Sequence, residues 1–128
     1  MSLYSYVVRL EDTLRSRKEI TLHKLDLTVT VLGVIFEADV HFYDGSQLSI
    51  LEEVQNVGPW DTERIRYKFH YQQPDGTLIF RYDSSPHYPH LSTFPHHKHV
   101  GNSVYEAEAP DLSEVLQEID TLIYPKAS

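Results

Sequence analysis

Two consecutive turn signals constrain the fold more than any other feature of this sequence. The first lies in Tyr43–Ser46 and the second in Gln73–Gly76, and each contains an Asp-Gly pair. Asp-Gly supplies the positive φ angles that a type I′ hairpin turn requires. Residues 34–42 and 62–72 precede the turns and alternate between apolar and polar side chains, the pattern of half-buried strands. The chain is therefore predicted to form an antiparallel sheet of about four to five strands built from consecutive hairpins.

The second hairpin is predicted to have one apolar face and one basic face. The apolar positions alternate along both arms: Ile65, Tyr67, Phe69, Tyr71, Leu78, Phe80 and Tyr82. The positions that alternate with them are mostly basic or polar: Arg64, Arg66, Lys68, His70, Gln72, Arg81 and Asp83. Alternate side chains of a strand point to opposite faces, so the two sets would lie on opposite sides of the sheet.

A helix is predicted at each end of the chain. Residues 3–14 fit both strand and helix spacing, and the helix is preferred. Residues 112–123 carry apolar side chains at helical spacing; Asp111 with Glu114 is typical of a capping box, and Pro125 would end the helix. The chain, residues 1–128, is therefore predicted to be a single α+β domain whose helices cover the apolar face of the sheet.

Composition and charge exclude several classes of protein. The absence of cysteine excludes disulfides, thiolate nucleophiles and cysteine-ligated zinc. The sequence has no run of about 20 apolar residues and no signal peptide, so a cytoplasmic protein without a membrane partner is predicted. A net charge of −8 argues against nonspecific coating of nucleic acid. Residues 64–99, however, carry five basic and two acidic side chains, which predicts one basic face on an otherwise acidic body.

Histidines are concentrated in residues 66–101, which form the hairpin and the His-rich loop of the predicted site. The segment from Asp83 to Tyr105 is predicted to be an ordered loop. The densest cluster is His-His-Lys-His at residues 96–99. Histidine titrates near neutral pH, and lysine or arginine stabilises an anionic transition state. Acid–base catalysis is therefore one interpretation of this region.

Metal binding and a purely structural loop are the other two interpretations. His97 and His99 alternate and would chelate a metal together with His87 or His90. In the structural interpretation, the histidines only form hydrogen bonds to backbone carbonyls or are solvated. The spacing leaves all three interpretations open.

Asp83 and Arg81 also have two interpretations each. Asp83 can orient an imidazole, for which His87 is the candidate, or it can form a turn at the end of the strand. Arg81 can bind phosphate, or it can pair with an acidic side chain on a neighbouring strand.

Four motifs of this chain resemble the TumE family, the toxin components of prokaryotic toxin–antitoxin modules. They are Tyr-Lys-Phe-His-Tyr-Gln at 67–72, Asp-Gly-x-Leu-Ile-Phe-Arg-Tyr-Asp at 75–83, Pro-His at 86–87, and Thr-Phe-Pro-His-His-Lys-His-Val-Gly at 93–101. The resemblance implies a toxin encoded beside a DNA-binding antitoxin, with RNA cleavage as the expected activity. The motif positions that it marks are His70, Arg81, Tyr82, Asp83, His87, His96, His97, Lys98 and His99.

The leading prediction is a metal-independent endoribonuclease toxin that needs no cofactor. Its predicted catalytic residues are His96, His97, His99, Lys98, Arg81, Tyr82, Asp83 and His87. Arg81 and Lys98 would stabilise charge on the phosphate, the three histidines of 96–99 would act as acid and base, and Asp83 would orient His87. The predicted substrate-binding residues are His70, Arg66, Lys68 and Arg81.

The alternative prediction is a non-enzymatic binding module. Its His-rich loop would bind a divalent metal through His87, His97 and His99, or it would bind a protein partner. In the toxin prediction, the acidic body would favour a basic antitoxin. The toxin prediction also requires Arg81, Tyr82 and Asp83 to lie near residues 96–99 in space.

Overall fold

The computed structural model of the chain describes residues 1–124 as two helices and a seven-stranded antiparallel sheet. The elements in chain order are α1 (Leu3–Arg15), β1 (Ile20–Val29), β2 (Gly33–Phe42), β3 (Gln47–Val57), β4 (Asp61–Gln72), β5 (Leu78–Asp83), β6 (His97–Val100), β7 (Ser103–Glu106) and α2 (Leu112–Ile123). The strands lie side by side in chain order, so the sheet is a continuous meander. The α+β architecture is as predicted, but four to five strands was too few.

The additional strands are β6 and β7, in a region that was predicted to be mostly loop. Each has four residues, and a turn at Gly101, with φ 58°, connects them. Residues 97–99 are His-Lys-His, so polar side chains occupy both faces of β6. The apolar alternation that identifies a strand in a sequence is therefore missing.

Both predicted hairpins are present, although the first turn is not type I′. Gly45 has φ 85°, whereas Asp44 does not have a positive φ, and a type I′ turn needs positive values at both central positions. The Gly45 N–H donates to Phe42 O at 2.9 Å, and the Phe42 N–H donates to Ser46 O at 2.9 Å. Gly76 repeats this arrangement with φ 91°. Both hairpins are therefore connected by three-residue loops, and the last loop residue is a glycine in the left-handed conformation.

The helices form at the predicted ends of the chain and cover one face of the sheet. Ser2 caps α1 by accepting a hydrogen bond from Ser5 N–H at 3.1 Å. The predicted capping box of α2 is present, since Asp111 accepts from Glu114 N–H at 2.8 Å and Glu114 accepts from Asp111 N–H at 3.2 Å. The prediction for Pro125 falls outside the described residues. Neither helix within residues 1–124 is long and apolar enough to cross a membrane.

One hydrophobic core lies between the helices and the sheet. The helices contribute Val7, Leu10, Leu14, Leu112, Val115, Leu116 and Ile119. The sheet contributes mainly aromatic and β-branched side chains, including Phe36, Val40, Val54, Tyr67, Phe69, Tyr71 and Phe80. The opposite side of the sheet, here called the outer face, carries the polar positions of the strands.

A β-bulge changes the predicted faces of the second hairpin. Glu53 pairs with Arg66 and Val54 pairs with Arg64, which leaves Ile65 as the extra residue of β4. Arg64 therefore turns to the helix side, where its guanidinium lies 4.2 Å from the ring centroid of Tyr67. Ile65 is 43% exposed. The predicted positions of Arg64 and Ile65 were wrong, because the bulge inverts the alternation at the start of β4.

Candidate functional site

Strand register brings some of the predicted functional residues together on the outer face of β4, β5 and β6. Arg81 pairs with His70 on one side and with His99 on the other, which gives the row His70–Arg81–His99 across three strands. The next row contains Lys68, Asp83 and His97. Residues directly opposite each other on neighbouring strands share a face of the sheet. The expected proximity of residues 81–83 to 97–99 is thus a direct result of β5–β6 pairing.

Asp83, His97 and His99 form a compact group that is called here the Asp83 cluster. His97 Nε2 lies 2.8 Å from Asp83 Oδ1, and His99 Nε2 lies 3.6 Å from Asp83 Oδ2. Asp83 is 4% exposed and His97 is 1% exposed, although both belong to the outer face. Polar groups this deeply buried usually have defined partners, and Asp83 and His97 lie against each other.

The segment 84–96 buries the cluster by folding over the outer face. Tyr88 packs edge-on against both imidazoles, with its ring centroid 4.8 Å from that of His97 and 5.9 Å from that of His99. Thr93 fixes the segment, because its Oγ1 donates to His96 O at 2.7 Å and accepts from Ala107 N–H at 3.1 Å. The Phe94–Pro95 peptide bond in this segment is cis.

Asp83 accepts hydrogen bonds at both carboxylate oxygens. Arg81 Nε donates to Oδ2 at 3.0 Å, and the Ser85 N–H donates to Oδ1 at 3.0 Å. The carboxylate thus forms a turn and contacts imidazoles at the same time, as the two interpretations of Asp83 separately expected. The imidazoles that it contacts are His97 and His99, whereas His87 is exposed on the loop with its ring against Tyr88.

His97 has a defined tautomer when it is neutral. Its Nδ1 lies 2.9 Å from Pro95 O, and a carbonyl oxygen can only accept a hydrogen bond. Nδ1 therefore carries the proton, and the Nε2 lone pair of the neutral ring is directed into the Asp83 cluster.

His96 is separate from the cluster. Its Nδ1 lies 3.0 Å from the hydroxyl of Tyr67, and the two rings stack with their centroids 5.7 Å apart. Burial raises the pKa of Tyr67 to about 12, so the phenol remains protonated at neutral pH. The hydrogen bond and the ring contact attach His96 to Tyr67 of β4, away from the Asp83 cluster.

Lys98 and Tyr82 point toward the helices, because consecutive residues of a strand face opposite sides. Lys98 Nζ lies 2.6 Å from Glu118 Oε2, and the Tyr82 hydroxyl donates to Glu118 Oε1 at 2.6 Å. Burial lowers the pKa of Lys98, but hydrogen bonding to Glu118 and Tyr82 and their charges outweigh burial, and the net shift is upward. Lys98 is therefore a stable cation that joins β6 to α2, on the opposite side of the sheet from Asp83.

Burial lowers the pKa of both imidazoles that flank Arg81. Burial lowers the pKa of His99, and the charges of His97 and Arg81 lower it further against the opposing effect of Asp83. Burial likewise lowers the pKa of His70, whose Nε2–H donates a hydrogen bond to Gln72 Oε1 at 3.2 Å. Neutral imidazoles can accept a proton or bind a metal ion.

The remaining predicted substrate-binding residues extend the positive charge along β4. Lys68 is partly exposed beside Asp83, and Arg66 Nε lies 3.0 Å from Glu53 Oε1 with more than half of its side chain exposed. Together with Arg81 they form a cationic outer face that leads to the Asp83 cluster.

Sequence reasoning missed three residues that shape the site. Tyr88 holds the two imidazoles, Ser85 donates to Asp83, and Glu118 fixes Lys98 on the helix side. The Asp-x-Ser spacing of 83–85, which is typical of an Asx-turn, is a local signal that would have identified Ser85. No local pattern connects Glu118 with a strand that lies far away in the sequence.

The fold and the site define a small α+β protein with a meander sheet, a cationic strand face and a buried Asp–His cluster. The family model described as Toxin TumE matches residues 9–123, and the chain belongs to this toxin family. The match includes every strand and the whole candidate site, which confirms the resemblance seen in the sequence motifs. No curated protein and no solved structure matches the chain.

Proposed function

We propose that this TumE-family toxin is an endoribonuclease whose active surface is the outer face of β4, β5 and β6. The observation that supports this proposal is the row His70–Arg81–His99, in which two imidazoles flank one guanidinium. Cleavage of RNA by its own 2′-hydroxyl needs a base, an acid on the opposite side of the phosphate and a cation between them. The row supplies these three groups without a metal ion.

In the proposed reaction the 2′-oxygen attacks the adjacent phosphorus atom, and the bond to the 5′-oxygen of the next nucleotide breaks. One of the two imidazoles, His70 or His99, takes the 2′-hydroxyl proton in its neutral form, and the other, in its protonated form, donates a proton to the leaving 5′-oxygen. Arg81 stabilises the negative charge that develops on the phosphate oxygens. The products are a 2′,3′-cyclic phosphate and a free 5′-hydroxyl, so atoms and protons balance.

Asp83 and His97 act in this proposal as positioning residues. Asp83 binds Arg81 through Nε, and His97 packs against His99 with ring centroids 4.9 Å apart. Arg66 and Lys68 would bind phosphates of the RNA on either side of the cleaved bond. Lys98 and Tyr82 take no part in the proposed chemistry, because both bind Glu118 on the helix side of the sheet. His96 takes no part because its ring stacks on Tyr67, outside the row His70–Arg81–His99.

The proposal is tested by incubating tag-free protein with RNA in EDTA and analysing the product ends. We expect 2′,3′-cyclic phosphates, and we expect no cleavage where the substrate carries a 2′-deoxyribose. Arg81→Gln should reduce the cleavage rate by about 10²–10⁴-fold. His90→Ala is the control, because His90 is an exposed histidine of the segment 84–96 and lies outside the proposed row. This variant should cleave RNA at the wild-type rate.

A folded wild-type protein that arrests growth but cleaves no RNA would show that the toxin has another target. Thermal unfolding of Arg81→Gln distinguishes lost chemistry from lost structure. Cleavage by folded Arg81→Gln at the wild-type rate would also contradict the proposed mechanism.

Membership of a toxin family supports an antitoxin as the partner. We propose that this antitoxin is a DNA-binding protein with a basic surface, since the residues outside 64–99 carry a net charge of −11, with 6 basic and 17 acidic side chains. The proposed site of action is the cytoplasm, where RNA is available. Co-purification of the protein with the product of the neighbouring gene tests the partnership, and loss of the complex in high salt would support the role of charge.

A further inference from the structure

We propose that the Asp83 cluster binds one divalent transition-metal ion through the Asp83 carboxylate, His97 Nε2 and His99 Nε2. The three ligand atoms lie within 4.8 Å of one another. The metal site expected from the sequence contained His87, whereas the structure brings Asp83 to His97 and His99 instead. Binding at this site does not depend on the proposed ribonuclease activity.

The buried Nε2 atom of His97 is the main argument for a cation. Among the described residues it has no hydrogen-bond partner, although it is fully buried and lies 2.8 Å from Asp83 Oδ1. Because Nδ1 donates to Pro95 O, the neutral ring directs a lone pair from Nε2 toward a carboxylate oxygen that also carries lone pairs. Two acceptors at this distance repel each other, so a cation between them would remove an unfavourable contact.

The position of the oxygen fits chelation better than an ion pair with a protonated ring. In a hydrogen bond the acceptor lies close to the N–H direction, and Asp83 Oδ1 does not meet this condition. In a metal chelate the ion lies on the lone-pair axis and the second ligand atom lies off it. Two ligand atoms that are each about 2.1 Å from one zinc ion are roughly 3.0–3.4 Å apart. The two nitrogen–oxygen distances, 2.8 Å from His97 to Asp83 Oδ1 and 3.6 Å from His99 to Asp83 Oδ2, bracket this range.

The surroundings also resemble those of a metal site. Metal-bound histidines usually donate their other ring N–H to a backbone carbonyl or a carboxylate, and His97 donates to Pro95 O in this way. Metal-bound carboxylates usually accept further hydrogen bonds. Asp83 accepts from Arg81 and Ser85. Two imidazoles and one carboxylate suit zinc, cobalt or nickel, whereas magnesium prefers oxygen ligands only.

Metal binding would have a consequence for the enzyme, and this consequence rests on the proposed function. A bound ion would occupy the Nε2 lone pair of His99, which could then neither accept nor donate a proton. Zinc would therefore inhibit RNA cleavage, and EDTA would restore it. The ion would act as a regulator of the toxin rather than as a cofactor.

The experiment is zinc titration of EDTA-treated, tag-free protein by calorimetry, with cobalt absorption spectra as a second readout. We expect one zinc ion per chain, a higher thermal unfolding temperature with zinc, and no effect of magnesium. His99→Ala should weaken zinc binding by about 100-fold or more, while the Asp83–His97 contact and the fold are retained. Asp83→Asn tests the carboxylate, but its buried position makes His99→Ala the variant that decides.

The double variant His87→Ala/His90→Ala is the matched control, because it removes two exposed histidines of the same loop and none of the proposed ligands. It should bind zinc like the wild type. If His99→Ala binds zinc as tightly as the wild type, or if the double variant no longer binds zinc, the proposed site is wrong. These measurements need no RNA, so they remain decisive if the ribonuclease proposal fails. Zinc that binds at this site without slowing cleavage would refute only the regulatory consequence.

Discussion

At the scale of single residues, one buried carboxylate, that of Glu52, is expected to make stability depend on pH. Glu52 is 1% exposed on the helix side of the sheet. The Tyr6 hydroxyl donates to its Oε1, and Arg64 Nη1 lies 3.7 Å from its Oε2. Burial raises the pKa of Glu52, and the contacts with Tyr6 and Arg64 offset this effect only in part. The buried carboxylate is therefore a source of pH-dependent stability that is independent of the Asp83 cluster.

Replacement of this carboxylate should change how stability depends on pH. Glu52 has an ordinary pKa of 4.5 in the unfolded chain and a higher pKa in the folded chain. Between the two values the folded state holds more protons, so the free energy of unfolding falls as pH rises through this window. Glu52→Gln should remove this decrease, and urea unfolding at several pH values from 4 upward measures it.

Glu53→Gln is the matched control for this prediction, because the neighbouring Glu53 lies on the outer face beside Arg66. Above pH 4.5, the free energy of unfolding of Glu53→Gln should change with pH as it does in the wild type. If Glu52→Gln and the wild type show the same slope, the charge of Glu52 does not cause the pH dependence.

At the scale of elements, β6 connects the candidate site to the helical layer. Its His97 and His99 side chains lie on the outer face, and Lys98 between them binds Glu118 of α2. The β5 residue Tyr82 binds the same carboxylate. One strand thus places two imidazoles beside Asp83 and at the same time attaches α2 to the end of the sheet.

Lys98→Met should therefore affect stability rather than RNA cleavage. The lysine is partly exposed, so loss of its ion pair should lower the free energy of unfolding by only about 0.5–1.5 kcal/mol. Urea unfolding measures this change, and the cleavage assay should give the wild-type rate. A folded Lys98→Met variant that has lost cleavage would show that Lys98 is catalytic, as the sequence motif predicted.

Lys24→Met on β1 is the control for this change. Lys24 Nζ lies 3.7 Å from both Asp26 and Glu37, and its side chain is more exposed than that of Lys98. Its replacement should change stability by less than about 0.5 kcal/mol.

At the scale of the whole molecule, charge is separated between the outer face and the rest of the protein. Residues 64–99 carry a net charge of +3 within a chain of net charge −8. The bulge at Ile65 removes Arg64 from the outer face, which leaves Arg66, Lys68 and Arg81 as the cations of its β4–β5 part. This small number favours contact with a few phosphates over extensive coating of nucleic acid.

The number of phosphate contacts can be measured from the salt dependence of RNA binding. With an RNA that carries 2′-deoxyribose and cannot be cleaved, Lys68→Gln should weaken binding and reduce the slope of log K against log salt by about 0.7–1. Lys24→Gln, on a distant strand, should leave the slope unchanged. Equal slopes for Lys68→Gln and the wild type would exclude Lys68 from the interface.

The sequence by itself determined the features that depend on neighbouring residues. The Asp-Gly turns, the capping box of Asp111 and Glu114 and the apolar alternation of β2 and β4 arise from local backbone geometry and local hydrogen bonds, which short segments encode. The family motifs also predicted Arg81, Asp83, His97 and His99 to belong to one site, and these four residues lie together in the structure.

Only the tertiary structure decided which of these residues meet and on which side of the sheet. The Asp83 carboxylate contacts His97 and His99 because β6 pairs with β5 in one register after the segment 84–96. A shift of one residue would have presented Lys98 to Asp83 instead, since successive side chains of a strand alternate between faces. Register depends on packing between distant segments, and the polar sequence of β6 gives no local sign of it.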